Sequence, residues 1–251
     1  LPNKSMNIGS TPIDSTDPTM HNKSDEFDFW LDDVRFITDK SLCMGSSSEY
    51  EFAPTSKVGG TCATVSNPGN YTAVIADLYR HWRAQFYSNG KVVMPEQNED
   101  TTSESQGYGM ILSAAMGDKT TFDAIWNETK GKKTGSGVIG WSWKTDQNTS
   151  ATDGDEDIAY GLLLADQRWN GYAADAEALI TAIWGADIEQ SVPRIKLGSN
   201  YDAGFNSSYF APHFYRKFAD VNNSDWNGVI TNGYTTVSAC QNANGLVADW
   251  C

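Results

Sequence analysis

The chain has 251 residues, 39% of them hydrophobic, which suits one large domain with a substantial core. Its formal net charge is −14, from 32 acidic and 18 basic residues, and such a surface repels a phosphate backbone, so nucleic acid is excluded as a partner. The sequence has no apolar run of about 18 residues, and this argues against a membrane span.

The first 60 residues differ in composition from the rest of the chain. Residues 1–27 are rich in Ser, Thr, Asn, Pro and Asp and predict an extended arm, whereas 28–43 have the weak periodicity of a short helix. Residues 44–71 are rich in Gly, Ser and Pro. We therefore predict an N-terminal extension over 1–60 and a helical domain over 61–251.

A regular helical pattern begins at residue 72. Ile75, Leu78, Trp82 and Phe86 recur every three to four residues and predict a helix over 72–87 with one apolar face. The same periodicity predicts six more helices, over 106–116, 119–130, 155–169, 172–184, 209–219 and 225–237. No βαβ alternation is seen, so the pattern favours an all-α architecture with the functional residues in loops at one end.

The cysteines and the Asn-x-Ser/Thr sequons favour a secreted protein. The four cysteines form no CxxC, and the three histidines have no metal-ligand spacing, so no zinc site or other cofactor is expected. Two disulfides fit the even count, and Cys43–Cys62 with Cys240–Cys251 is one of three possible connectivities. The seven sequons are at Asn3, Asn22, Asn70, Asn127, Asn148, Asn206 and Asn222.

The segment TSESQGYGM, residues 102–110, is the first candidate for chemistry. Ser103 and Gln106 have the offset of a helix capping box, which would explain the polar residues but not Glu104. A glutamate at a helix start among aromatic residues can be desolvated enough to keep its proton near neutral pH. Glu104 is therefore a candidate general acid.

The segment ATDGDEDIAY, residues 151–160, is the second candidate. It begins D-x-D-x-D, but Ile158 occupies the position where a calcium-binding EF-hand needs glycine, and Leu164 the position where it needs glutamate. Acidic residues also stabilise a helix N-terminus, which accounts for some of these carboxylates. The functional interpretation is that one of them faces a sugar.

These two segments closely resemble glycoside hydrolase family 8, whose members carry T-S-E-G-Q-G-Y-G-M and A-T-D-G/A-D-x-D-I-A-Y. Three further segments resemble the family's G-W, S-Y-F-A-P-x-Y-Y-R and S-G-L-V-P-D-W motifs in the same order: Gly140-Trp141, Ser208–Pro212 with Tyr215-Arg216, and Asn244–Trp250. Five motifs in the correct order over 72–250 make the resemblance specific.

The resemblance implies an (α/α)6 barrel that hydrolyses β-1,4-linked glycans with inversion, such as cellulose, mixed-linkage glucan, xylan or chitosan. It implies that Glu104 is the general acid and that Asp153 contacts the sugar at the cleavage point. Trp141 is the expected stacking residue, and the other expected substrate contacts in the matched motifs are Tyr108, Gln106 and Tyr209. Inversion also needs a base and room for a water molecule, with the two carboxyl groups about 6.5–9.5 Å apart.

The sequence departs from the family pattern in two ways. Ser105 stands where the family has glycine. Family members also continue about a hundred residues beyond the last motif, with a Y-D-A-x-R segment that bears the base, so an incomplete or rearranged barrel is expected. Asp32 is the candidate base in a rearranged chain, because Asp32-Asp33-Val34-Arg35 has the same D-x-x-R spacing.

Two functions remain open from the sequence. One is a secreted, endo-acting glycosidase, for which a β-1,4-glucan is the favoured substrate. The other is a non-catalytic glycan-binding or structural extracellular protein derived from this family. A shortened barrel would leave apolar helix faces uncovered, so we predict that residues 28–43, a second copy or a partner covers them.

Overall fold

The structure, a computed structural model, describes residues 71–251, with side chains from residue 75 onward. It contains seven α-helices in this range: α1 Tyr71–Phe86, α2 Ser103–Met116, α3 Lys119–Thr129, α4 Thr152–Trp169, α5 Ala173–Ala186, α6 Pro212–Phe218 and α7 Trp226–Ala239. Each corresponds to one of the seven predicted helices, and the all-α prediction is confirmed. Asp32, the predicted 28–43 helix and the Cys43–Cys62 pairing lie outside the described residues.

Two short antiparallel hairpins, which the periodicity did not predict, join the helices. Strands β1 (Tyr87–Ser88) and β2 (Lys91–Val92) pair with Tyr87 opposite Val92. Their turn has positive φ at Asn89 and Gly90, the Asn-Gly pattern of a tight two-residue hairpin turn. Strands β3 (Ile188–Glu189) and β4 (Arg194–Ile195) form the second hairpin after α5.

Helix α2 begins three residues earlier than its periodicity predicts, because polar residues form its first turn. Thr102 is the N-cap, and its hydroxyl accepts a hydrogen bond from Ser105 N, while Ser105 Oγ accepts one from Thr102 N. The capping box predicted for Ser103 and Gln106 is therefore wrong by one residue. Ser105, the departure from the family pattern, also donates a 2.8 Å hydrogen bond to Val92 O and so anchors α2 to β2.

Helix α4 also begins three residues before the predicted start, so Asp153 lies in a helical turn and not in a loop. Its N-cap, Ala151, offers no capping side chain. Main-chain contacts replace the cap, since Thr152 donates from N to Leu197 O (3.2 Å) and from Oγ1 to Lys196 O (2.7 Å). The segment after β4 thus holds the start of α4.

The core lies between α2, α3, α4 and α5 and continues into α6 and α7. Its largest fully buried side chains include Trp226, Tyr215, Phe122 and Phe218. Burying side chains of this size provides most of the stabilisation, roughly 1.5–3 kcal/mol for each. Within the described residues, no helix is both long and apolar enough to cross a membrane.

The apolar face predicted for α1 is only partly buried. Ile75 is 38% and Leu78 41% exposed, whereas Ala76 and Tyr79 are the buried residues of this helix. Tyr79 donates a hydrogen bond to Asp118, which orients the helix about a different face from the one the periodicity favours. That a segment, a second copy or a partner covers Ile75 and Leu78 stays a prediction.

The end of the chain is fixed beside the segment that leads into α6. Cys240 and Cys251 form a disulfide, which confirms this half of the considered connectivity. Cys251 N donates to Phe205 O at 2.9 Å, and Asn206 pairs with Trp250 as an antiparallel bridge. Helix α6 begins at Pro212, later than predicted, because proline is suited to the first helical position and restricts the residue before it.

Candidate active site

Glu104 and Tyr108 lie one turn apart on α2. The four-residue spacing puts both side chains on one face of the helix, where the Tyr108 hydroxyl donates a 2.6 Å hydrogen bond to Glu104 Oε1. Burial, together with the negative charges of Glu104 and Asp157, raises the pKa of Tyr108 far above its usual range. Tyr108 therefore stays protonated and keeps Glu104 in one orientation.

Asp153 occupies the first turn of α4 and approaches Glu104. Its Oδ1 accepts a 2.7 Å hydrogen bond from Gly154 N. Burial and the nearby charge of Glu104 raise the pKa of Asp153 to about 8, in that order of importance. Asp153 therefore retains its proton at neutral pH, next to the candidate general acid.

A glycine allows the two helix starts to come this close. A Cβ on Gly154 would collide with Ser103 Oγ and lie 2.6 Å from Glu104 N. One turn further on, a Cβ on Gly107 would collide with the Cβ of Asp157 and lie 3.2 Å from its carbonyl carbon. Main-chain contact between α2 and α4 therefore sets the separation of Glu104 and Asp153.

Trp141 is attached to the same helix start through its backbone. Its carbonyl accepts a 3.0 Å hydrogen bond from Ser103 N, and its own N–H donates to Thr149 O at 2.8 Å. The indole hydrogen-bonds to the Asp146 carboxylate. The ring is thus partly exposed and held in place by Asp146, as stacking on a sugar requires.

Tyr209, which is distant in sequence from both helix starts, also lies near the carboxyl groups of Asp153 and Glu104. Burial raises its pKa well above the usual range, and the charges of Asp153 and Glu104 raise it further. Its carbonyl accepts a 3.0 Å hydrogen bond from the buried hydroxyl of Tyr215. The structure thus brings together Glu104, Asp153, Tyr108, Tyr209 and, through its backbone, Trp141.

Gln106 is buried in the fold and does not line the candidate active site, where a substrate contact was expected. Its side chain is fully buried, its Oε1 accepts from Val92 N at 2.7 Å, and its Nε2 donates to Gly90 O (3.0 Å) and Thr129 Oγ1 (2.9 Å). No atom of this side chain is left for a sugar. Gln106 joins the β1–β2 hairpin to α2 and α3, and we omit it from the proposed substrate contacts.

Three further carboxyl groups of the ATDGDEDIAY segment, and one outside it, lie around Asp153. Burial raises the pKa of Asp155, Glu156 and Asp157 well above the usual range, and it raises that of Asp187 to about 6. Asp157 is four residues after Asp153, so helical spacing alone places the two on one face. Asp187 lies at the end of α5, and no motif or spacing in the sequence around it predicts that it is near Asp153. No three His, Cys, Asp or Glu side chains in residues 71–251 are grouped so as to hold a metal ion.

A helical array with carboxyl groups at the starts of two neighbouring helices is the arrangement expected of a helical glycosidase, and comparison with known proteins identifies the family. The sequence profile of glycosyl hydrolases family 8 matches residues 62–251. The chain belongs to this family.

Its relatives include characterised bacterial glucanases. Endoglucanase A of Acetivibrio thermocellus is 29% identical over 231 residues, which are 82% of this chain and 47% of the relative. Endoglucanase C of Ruminiclostridium cellulolyticum is 35% identical over 170 residues, 61% of this chain and 37% of the relative. The chain thus spans less than half the length of either relative.

Solved structures of the family share the fold. The endo-β-1,4-glucanase of Acetobacter xylinum superposes with a TM-score of 0.64 at 24% identity, over 70% of this chain and 61% of that one. A β-1,3-1,4-glucanase of Paenibacillus sp. X4 superposes with a TM-score of 0.59 at 26% identity, over 66% of this chain and 52% of that one. The helices of this chain therefore correspond to part of an (α/α)6 barrel.

Proposed function

We propose that the protein is a secreted, endo-acting, inverting glycoside hydrolase that cleaves a β-1,4-linked glucan. The observation that carries the proposal is the approach of Glu104 and Asp153 at the abutting starts of α2 and α4, where burial and the charge of Glu104 raise the pKa of Asp153. The relatives' names, endoglucanase and β-glucanase, favour a β-glucan substrate. The Cys240–Cys251 disulfide supports secretion, since such bonds persist in oxidising compartments.

The roles of the residues follow from the chemistry of glycoside hydrolysis. Glu104 donates its proton to the glycosidic oxygen as the bond from that oxygen to the anomeric carbon breaks, and a water molecule attacks that carbon from the opposite face. Asp153 hydrogen-bonds to the sugar at the cleavage point, and Trp141 and Tyr209 contact neighbouring sugars. The base that accepts the proton of the water is Asp32 in this proposal.

The decisive assay measures the release of reducing ends from soluble cellulose, mixed-linkage β-glucan, xylan and chitosan. Glu104→Gln keeps the size of the side chain but carries no transferable proton, so we expect a loss of at least about 100-fold. Glu177→Gln, on the exposed face of α5, is the matched control and should retain activity. Full activity in Glu104→Gln refutes the assignment of the acid.

Two further measurements test the finer parts of the proposal. Proton NMR of the first product should show the α-anomer, because inversion at a β-linkage produces it. Asp32→Asn should reduce the rate as strongly as Glu104→Gln does. A β-anomer as first product contradicts inversion, and an active Asp32→Asn protein contradicts the choice of base.

A non-catalytic glycan-binding protein is the second candidate. It is favoured by Trp141 and Tyr209, whose backbones are held by internal hydrogen bonds that do not depend on a catalytic base. This candidate predicts that folded protein binds glucan without releasing reducing ends. Turnover that disappears in Glu104→Gln excludes it.

A further inference from the structure

Asp155 and Asp187 form a buried pair behind the candidate active site. Asp155 lies in the first turn of α4, two residues after Asp153, and Asp187 caps the C-terminal end of α5. Neither residue has any solvent exposure. Two carboxyl groups at such a place need partners, because an isolated buried charge is very costly.

One oxygen of each carboxyl group is satisfied by a donor from a different segment. Asp155 Oδ1 accepts a 2.8 Å hydrogen bond from Ile139 N, two residues before Trp141. Asp187 Oδ1 accepts a 2.7 Å hydrogen bond from Ser150 Oγ, which in turn accepts one from Ser199 N at 2.8 Å. The pair therefore contacts the segments on both sides of the site.

The Oδ2 atoms of Asp155 and Asp187 have no such donor. No N–H or hydroxyl group reaches Oδ2 of either residue, although both atoms are buried. The two side chains are nevertheless hydrogen-bonded to one another. Two ionised carboxylates cannot form that bond, since each offers only acceptors, so one proton must lie between them.

We propose that Asp155 and Asp187 are positioning residues, and that a single proton held between their Oδ2 atoms joins three segments: the Trp141 loop, the start of α4 with Asp153, and the segment after α5. Neither residue touches the substrate. Both act through the residues whose backbone they hold.

Burial favours retention of this proton, because it penalises the charged form of each carboxyl group. Asp153 and Glu156 are the other carboxyl groups that face the pair, and Lys196, beside Asp187, acts in the opposite direction. Loss of the proton would leave two carboxylates in contact, and their repulsion would separate α4 from the end of α5. Folded protein therefore holds this proton while unfolded protein releases it near the usual aspartate range, so the contribution of the pair to stability falls as the pH rises.

Asparagine substitutions provide a direct test because an amide N–H can replace the shared proton. In Asp155→Asn or Asp187→Asn, the amide oxygen still accepts the external hydrogen bond, and the amide N–H donates to the remaining carboxylate. Each single variant should melt within about 4 °C of the wild type at pH 6. In the double variant two amide N–H groups face each other, and its melting temperature should fall by at least about 8 °C.

Infrared spectroscopy measures the proton itself. At pH 7 the difference spectrum between the wild type and either single variant should show the loss of one buried carboxylic acid C=O stretch, because the remaining aspartate becomes ionised. Asp220→Asn, on the exposed turn after α6, is the control and should leave this band unchanged. These two measurements are independent of the proposed function.

Activity gives a third measurement, which rests on the proposed function. The single variants should keep kcat within about threefold at pH 6, while the double variant, at a temperature where it is folded, should lose about tenfold because Asp153 and Trp141 are no longer held. An unchanged carboxylic acid band, additive destabilisation in the double variant, or single variants that do not fold would each overturn the proposal. Inactivity on every glucan with the expected infrared and melting results would refute the proposed function alone.

Discussion

The hydroxyl of Tyr108 donates a 2.6 Å hydrogen bond to Oε1 of Glu104, one helical turn before it on α2. The bond occupies one carboxyl oxygen and restricts rotation of the glutamate side chain. The four-residue helical spacing allows it, because it places both side chains on the same face of α2. Tyr108 thus helps to set the orientation of the candidate acid.

Tyr108→Phe should lower kcat about tenfold or more, with a decrease in melting temperature of only a few degrees. The variant removes one hydrogen bond to an ionisable group, worth about 1.5–3 kcal/mol, but keeps the ring. Tyr234→Phe, on the exposed face of α7, is the matched control. Steady-state kinetics on the preferred glucan measure the effect, and equal kcat values for the two variants would disprove a role for this bond.

Gly154→Ala should reduce both activity and stability. The added methyl group would meet Ser103 Oγ and Glu104 N, so α2 and α4 must separate, with a cost of about 1–3 kcal/mol. A shift of this kind at the acid should lower kcat by about 10- to 100-fold. Gly185→Ala, where the methyl group meets nothing, should be neutral or slightly stabilising. Urea unfolding and steady-state kinetics measure both effects, and equal stability and kcat in the two variants would contradict the prediction.

Gln106→Leu should destabilise the fold without changing KM. The buried amide serves Val92 N, Gly90 O and Thr129 Oγ1, and their loss of a partner should cost about 2–4 kcal/mol. Gln97→Leu, at an exposed position, is the control. If Gln106→Leu instead raises KM at unchanged stability, Gln106 contacts substrate after all.

Asp153→Asn should flatten the dependence of stability on pH. The folded-state pKa of about 8 exceeds the unfolded value of about 4, so the folded state holds more protons between these limits and wild-type stability falls as the pH rises through them. The slope attributable to one proton is at most about 1.4 kcal/mol per pH unit. Urea titrations at pH 5 and pH 8 should show a smaller difference for the variant than for the wild type. An identical difference would mean that Asp153 is ionised throughout.

Replacing Cys240 and Cys251 together by serine should lower the free energy of unfolding by about 2–3 kcal/mol. The bond closes a short loop, 11 residues from one cysteine to the other, and mainly restricts the unfolded chain. We expect kcat to change less than threefold, since Tyr209 keeps its bond from Tyr215. Unchanged unfolding in urea would show that the disulfide does not form in solution.

Helical periodicity was sufficient to locate every helix in residues 71–251, but not where each one starts. The starts of α2 and α4 are polar and are held by partners distant in sequence, such as Ser142 and Lys196, which no local pattern reveals. Tertiary contacts of this kind take over where the apolar repeat has not yet begun.

The residues of the candidate site also fall into two groups: those predictable from local sequence and those that depend on tertiary contacts. The proximity of Glu104 and Asp153 could be predicted from the motifs, and that of Asp157 from its four-residue spacing, whereas their roles stay predictions. The burial of Gln106 and the pairing of Asp155 with Asp187 could not, because both depend on segments that meet only in the folded chain. A polar residue inside a motif can hydrogen-bond either to the backbone or to a ligand, and the sequence alone does not distinguish these two roles.

The glycines between α2 and α4 have a consequence for how this chain can change. Main-chain contact at Gly107 and Gly154 sets the separation of Glu104 and Asp153, whereas Trp141 and Tyr209 lie outside these two helices. We therefore expect substitutions of the two aromatic side chains to alter glycan binding without moving the two carboxyl groups.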